Sequence, residues 1–129
     1  MKKEGILCFF RRSNEVLLLK VDYGRENNLG LVWGGVSGYI DYGETPEGAA
    51  IREIKEELGV VVIPEDLQKK GSVAVSAELT LDVFFVRPPI KKIQPMEKSI
   101  KAVKWFSIDD LPYAEMHPRT KVWLPSLLR

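Results

Sequence analysis

Thr45-Pro46 on one side and Gly59 on the other bracket the stretch that most restricts how this chain can fold. A threonine side chain accepts from an orphan N–H at a helix start, proline suits the first helical position, and glycine ends the helix. Between them, Glu47 to Leu58 holds no further proline and no β-branched run, so a helix of about three turns is predicted. The flanking sequence is written in short apolar runs. Gly5 to Phe10 and Glu15 to Val21 read as a strand pair across the polar Arg11 to Asn14, and Asp22 to Gly30 reads as a surface loop. Leu31 to Trp33 and Gly38 to Ile40 are short extended pieces about a Gly-rich bend. Beyond the helix, Val60 to Ile63 is β-prone, Pro64 to Leu67 suits a turn, and Ser72 to Val86 suits two long strands or a hairpin. Pro88, Pro89 and Pro95 enclose a lysine-bearing loop, and Ala102 to Phe106 is another strand. Thr120 to Leu128 suggests a terminal helix with Val122, Trp123, Leu127 and Leu128 facing inward, against which Pro125 counts.

A length of 129 residues fits one domain, 1–129. Apolar residues are spread from end to end, as in a globular chain. The net charge is +1, with basic residues scattered or in pairs such as Arg11-Arg12 and Lys91-Lys92. That opposes a dedicated duplex nucleic-acid binder, which needs a basic stripe, and leaves a charged small molecule as the expected partner. Cys8 is the only cysteine. It lies in an apolar run and is expected to be buried; with His117 the only histidine, neither a disulfide within the chain nor a zinc site of Cys and His is expected. No long apolar run suggests a signal peptide or membrane span, so the expected setting is the cytoplasm, as a monomer or homodimer.

On a wheel of about 100° per residue, Ala50, Ile51, Ile54 and Leu58 form one arc of the helix and mark its core side. Glu53, Glu56 and Glu57 fall on an adjoining arc, since residues three and four apart are helix neighbours. Like charges so placed destabilise an isolated helix by about 0.2–0.5 kcal/mol per pair, and a bound cation is the economical compensation. The bland alternative is a solvated acidic face. Oxygen donors with no nearby His or Cys select magnesium, with manganese or calcium next, over zinc. Arg52, one turn before Glu56, can pair with it or with Glu44 from the preceding loop, where Gly38 and Gly43 permit a tight bend.

Gly38, five residues, Glu44, seven residues, then Arg52-Glu53-Ile54-Lys55-Glu56-Glu57-Leu58-Gly59-Val60 resembles the complete signature of the Nudix hydrolases, a MutT-like family. The resemblance implies an α/β/α sandwich with a mixed sheet between helices. It also implies a Mg-dependent pyrophosphohydrolase in which Glu53, Glu56 and Glu57 ligate metal, Arg52 and Glu44 orient them, and the Ser37 carbonyl joins the shell. Activated water would attack one phosphorus, with Glu53 and Glu57 both standing as general-base candidates. Glu97 is the nearest further acidic ligand, with Glu78 second. The stretch from Trp105 to the C-terminus is similar to that of enzymes that hydrolyse oxidised purine nucleoside triphosphates. It departs from them at His117, Arg119, Thr120 and Gly34, and Tyr39 is a further departure. Lys20, Tyr39, His117 and Arg119 are the candidate substrate contacts. A Nudix-like module that binds a nucleotide without cutting it is the alternative.

Overall fold

The computed structural model describes residues 2–24 and 29–128. Seven strands and two helices follow in the order β1 (Lys3–Arg12), β2 (Glu15–Asp22), β3 (Leu31–Gly34), β4 (Val36–Tyr39), α1 (Pro46–Leu58), β5 (Leu67–Ser76), β6 (Leu79–Val86), β7 (Ile100–Ser107) and α2 (Pro118–Leu127). The middle of the expected Asp22 to Gly30 loop, 25–28, lies outside the described residues.

β1 is central. It pairs in parallel with β6 along its length and antiparallel with β4, while β5 flanks β6. β2 carries β3 on one side and β7 on the other. The expected pairing of β1 with β2 is confined to the hairpin tip, Arg11 with Val16 and Arg12 with Glu15. Beyond it the two strands part, because each is buried on both faces and takes its own neighbours. Ile6, Cys8 and Phe10 join one core layer, and Leu7 and Phe9 the other. Leu17 and Leu19 likewise separate from Val16 and Leu18. Strands buried twice read as unbroken apolar runs, which is how they appear in the sequence.

The first layer is closed by α1, whose Ala49, Ala50, Ile54 and Leu58 are buried against it. Its ends are as expected: the Thr45 hydroxyl accepts from the Gly48 N–H at 3.0 Å, and Gly59 closes the helix at φ 68°. The second layer is closed by α2. Here the expected inward set is corrected: Val122 is exposed, Trp123 and Leu127 are half-buried, and Leu124 and Leu128 are the buried anchors. Leu124 and Leu128 recur every four residues from buried Thr120, whereas Val122 lies on the opposite side of the turn. The helix runs through Pro125 near its end, where the lost N–H costs one bond.

Val60 to Ile63 forms no strand. Val60 and Val62 are buried while Val61 and Ile63 are exposed, so the segment alternates like a strand but has no strand partner. β7 and β5 extend beyond the expected limits, and the residues from Pro88 to Pro95 are irregular, as their prolines require.

The mixed sheet between helices is an α/β/α sandwich. Ile54 is fully buried under the sheet. Ile54→Ala is expected to lower unfolding free energy by about 2–5 kcal/mol through lost burial and a residual cavity, read from the urea midpoint at unchanged slope.

Candidate active site

Arg52 organises one side of α1. Its Nε and Nη2 donate to the two carboxylate oxygens of Glu44 at 2.7 and 2.9 Å, a two-pronged fork. Nη1 donates to Glu53 at 2.6 Å and to Glu56 at 3.4 Å, and Nη2 also to the Tyr39 carbonyl at 3.1 Å. All the guanidinium donors are engaged, which lysine cannot reproduce. Glu44 comes from the turn after β4, where its own N–H donates to the Asp41 carbonyl and its carboxylate accepts from the Asp41 N–H. Gly43, at φ 84°, makes that turn. Arg52 and the Asp41 N–H together hold Glu44 down to a pKa of about 2. Glu44 in turn, followed by Glu53, stabilises the charged form of Arg52.

Glu57 has no such partner. It is buried at the end of the helix core and hydrogen-bonded to Glu53; burial first, then Glu53, then Glu97 and Glu56, push it up to about 9. In the absence of a cation the pair favours one shared proton over two adjacent charges. The three glutamates do share one side of the helix, yet they are not gathered equally. Glu53 and Glu57 meet, while Glu56 leans out to Arg52, the available positive charge. Among the described residues no three His, Cys, Asp or Glu side chains stand in ready coordination geometry.

The donor set nevertheless fits a hard divalent ion. The oxygen donors at the pair are carboxyls, and Glu97, in the segment before β7, is close enough to act on Glu57. Met96 ties that segment to the helix by donating to the Glu57 carbonyl at 2.8 Å. Glu78 lies instead at the β5–β6 turn, its carbonyl accepting from Lys3. Gly38 supplies the space: a Cβ there would fall on the Glu53 carboxyl. The neighbouring Ser37 belongs to β4 and borders the adjoining cleft.

That cleft opens on the second face of the sheet. Tyr23, Gly34, Ser37, His117, Arg119 and Thr120 line it. His117 caps α2: its Nδ1 accepts from the Arg119 backbone N–H at 3.1 Å, and its own backbone N–H donates to the Trp33 carbonyl at 2.7 Å. Burial, and secondarily Arg119, lower its pKa, so the ring is neutral at pH 7 with Nε2–H as a donor. The Tyr23 ring meets His117 edge-on at 5.2 Å. Burial raises the Tyr23 pKa, and the charge of Glu57 adds to it. Among the described residues Arg119 has no ion-pair partner.

The structure thus brings His117 and Arg119 together but not the other two candidate contacts. Lys20 rests over the Trp33 ring, 5.6 Å from its centroid, and does not line the cleft. The exposed Tyr39 side chain lies beside Lys3, and only its carbonyl reaches the site, through Arg52. Tyr23 was missed because it sits in a polar stretch that reads as loop. An aromatic placed directly after a buried strand was the available signal.

A profile of the NUDIX domain matches residues 1–127. The oxidized purine nucleoside triphosphate hydrolases of Danio rerio and Mus musculus are each 32% identical over 100 residues, covering 75% of this chain and 63% of the relative. The matched part thus spans less than two thirds of those proteins. The NAD-capped RNA hydrolase NudC of Pseudomonas aeruginosa is 33% identical over 109 residues, 84% of this chain and 37% of the relative. Among solved structures, a MutT NUDIX hydrolase from Burkholderia pseudomallei superposes with a TM-score of 0.79 at 25% identity, covering 95% of both chains.

Gly38→Ala is expected to keep the fold, since the backbone there suits any residue, while displacing the Glu53 carboxyl. Divalent-cation affinity, measured by titration calorimetry, should fall at least about tenfold, in the range of a lost supporting contact. Unchanged affinity would detach Gly38 from the site.

Proposed function

The chain belongs to the NUDIX family, and on that premise we propose that it is a Mg-dependent pyrophosphohydrolase cutting a phosphoanhydride in a nucleoside triphosphate or another nucleoside-diphosphate-linked compound. The observation that carries this is the Glu53–Glu57 pair: two carboxyls in contact, one buried, with the nearest guanidinium already committed to Glu44, Glu53 and Glu56. Such a pair is unfavourable in isolation and becomes favourable when a cation is shared.

When bound, magnesium supplies charge neutralisation on the diphosphate and lowers the pKa of a water. Glu53, Glu56 and Glu57 would hold it, with Glu97 and the Ser37 carbonyl as further oxygen donors. All are hard ligands, which suit magnesium, or manganese as a substitute, better than zinc. Glu44 and Arg52 keep Glu53 aimed at the pair. A carboxylate oxygen of Glu53 or Glu57 receives the proton of the attacking water. With a triphosphate the products are a monophosphate and pyrophosphate.

His117 and Arg119 face the nucleoside end. Arg119 and the His117 Nε2–H are donors, so the cleft suits a base edge rich in acceptors. The relatives named for oxidised purine triphosphates support a triphosphate; the base is assigned here only by this donor character. Arg119→Ala should raise KM for the preferred nucleotide several-fold with kcat little changed, as loss of ground-state binding does.

Glu57→Gln is expected to lower kcat by at least about 100-fold, the scale of a lost proton-transfer or charge-stabilising group. Its thermal midpoint in chelator at pH 7 should equal or exceed that of the parent, because the amide removes a buried acid from beside Glu53, Glu97 and Glu56. Full activity in this variant would remove the proposed site.

A further inference from the structure

The cleft at the start of α2 presents donors to a ligand but has no room for one. Its free volume is about 20 Å³, on the order of a single water, whereas sites that hold a small molecule offer roughly 300–1,000 Å³. The Tyr23 ring takes up the space. It lies edge-on against the His117 ring at 5.2 Å, and its oxygen ends over Gly34, 4.0 Å from where a Cβ would stand. The same Cβ would lie 3.5 Å from the His117 Cβ and 3.5 Å from the Thr120 hydroxyl, so three side chains close over one glycine. Those are ordinary van der Waals distances, and Gly34 has ordinary strand backbone. The fold therefore does not require a bare surface at this position.

Most walls of the cleft are fixed. Gly34 and Ser37 are paired within β3 and β4. Thr120 is buried on α2, and His117 is tied by both its ring and its backbone. Tyr23 is tied by its backbone alone: its N–H donates to the Gly30 carbonyl at 2.9 Å, and Asp22 before it donates to Ser99 at 2.8 Å. Among the described residues its hydroxyl makes no hydrogen bond. A change of side-chain rotamer thus moves the ring and leaves β2 in place. Arg119 is the other wall without a side-chain partner, but the atoms nearest the open face of Gly34 belong to His117, Thr120 and Tyr23.

A permanently packed tyrosine would account for the burial alone. Such a residue ordinarily finds a partner for its hydroxyl. Here the hydroxyl has none and covers a surface that the backbone leaves bare without needing to. With the ring turned away, the vacated slot is flat, of the size of an aromatic ring, and bordered by the imidazole of His117 and the guanidinium of Arg119. A planar group with acceptors on its edge fits that slot.

We propose that Tyr23 is the gate of this cleft and a specificity-determining residue: its ring turns out to admit a nucleobase, which takes its place over Gly34. The identity of the guest as a base rests on the proposed action on nucleotides; the gate does not.

The test uses the full chain carrying Thr120→Cys, which puts a thiol in the wall of the cleft. Cys8, the only native cysteine, is buried in the core, so the new thiol is the one a reagent reaches. Its reaction with an aromatic disulfide that releases a coloured thiolate is timed without nucleotide. A gate whose open form is populated at about 0.1–10% slows that reaction by the same fraction. Tyr23→Ala should therefore speed labelling at least about tenfold, and Tyr23→Phe, which keeps the ring, should change it less than about twofold. Tyr23→Val also removes the ring and takes the place of the alanine variant if that one loses its urea transition. Unaccelerated labelling without the ring would overturn the gate, as would equal acceleration by Tyr23→Phe.

The ring-less chain is then labelled with magnesium and millimolar α,β-methylene analogues of the four deoxynucleoside triphosphates, with inorganic tripolyphosphate as the control lacking a base. Protection of the thiol by at least one analogue and not by tripolyphosphate is the expected result. Protection by none, or equal protection by tripolyphosphate, would overturn the base as guest and leave the gate standing. The hydrolase reading is decided by Glu57→Gln, so gate, guest and hydrolase fail separately.

Discussion

Burial of β1 on both faces is the constraint from which the rest follows. Ile6, Cys8 and Phe10 on one side and Leu7 and Phe9 on the other leave no solvent-facing row in the middle of the strand. Each face must therefore be covered by a helix, and each edge by another strand. The β4 edge then sets the register of Gly38 against Ile6. That register, together with Ile54 packed beneath the sheet, delivers the Glu53 carboxyl to a position where only glycine leaves room. Site and core are consequences of the same packing.

The carboxyls on α1 show how a fold distributes an electrostatic cost. Glu44 is held deprotonated by a forked guanidinium, Glu53 shares that guanidinium, and Glu57 is left buried beside Glu53. Three acids of one type thus stand in three different surroundings, set by what each one touches. The gradient runs from the exposed turn toward the core, and it ends where a divalent ion would relieve it. On the opposite face, the cleft at the start of α2 is neutral or basic, so the two faces present contrasting chemistry.

The irregular segment between β6 and β7 links the regions. Its prolines keep it out of the sheet, its lysines gather opposite Arg12 and Trp105, and its last residues are tied to the end of α1. A stretch that reads as a surface loop is in this way held at both ends, against Trp105 and against the end of α1.

Local chemistry made much of this legible in the sequence. Thr45, Pro46 and Gly59 determined the helix because capping is decided within a turn. The spacing of Glu44, Arg52, Glu53, Glu56 and Glu57 determined that they share one side, because helical periodicity is fixed by the backbone. Doubly buried strands announced themselves as unbroken apolar runs. What the sequence could not contain was the choice among partners at a distance. β1 and β2 part beyond their turn, Val60 to Ile63 finds no strand to pair with, and Val122 faces out despite its apolar side chain. Tyr23 meets His117, Tyr39 turns away toward Lys3, and Arg12 lies on Trp105 across 93 positions. Those outcomes depend on which surfaces remain uncovered once the sheet has formed, and only the assembled tertiary structure decides that.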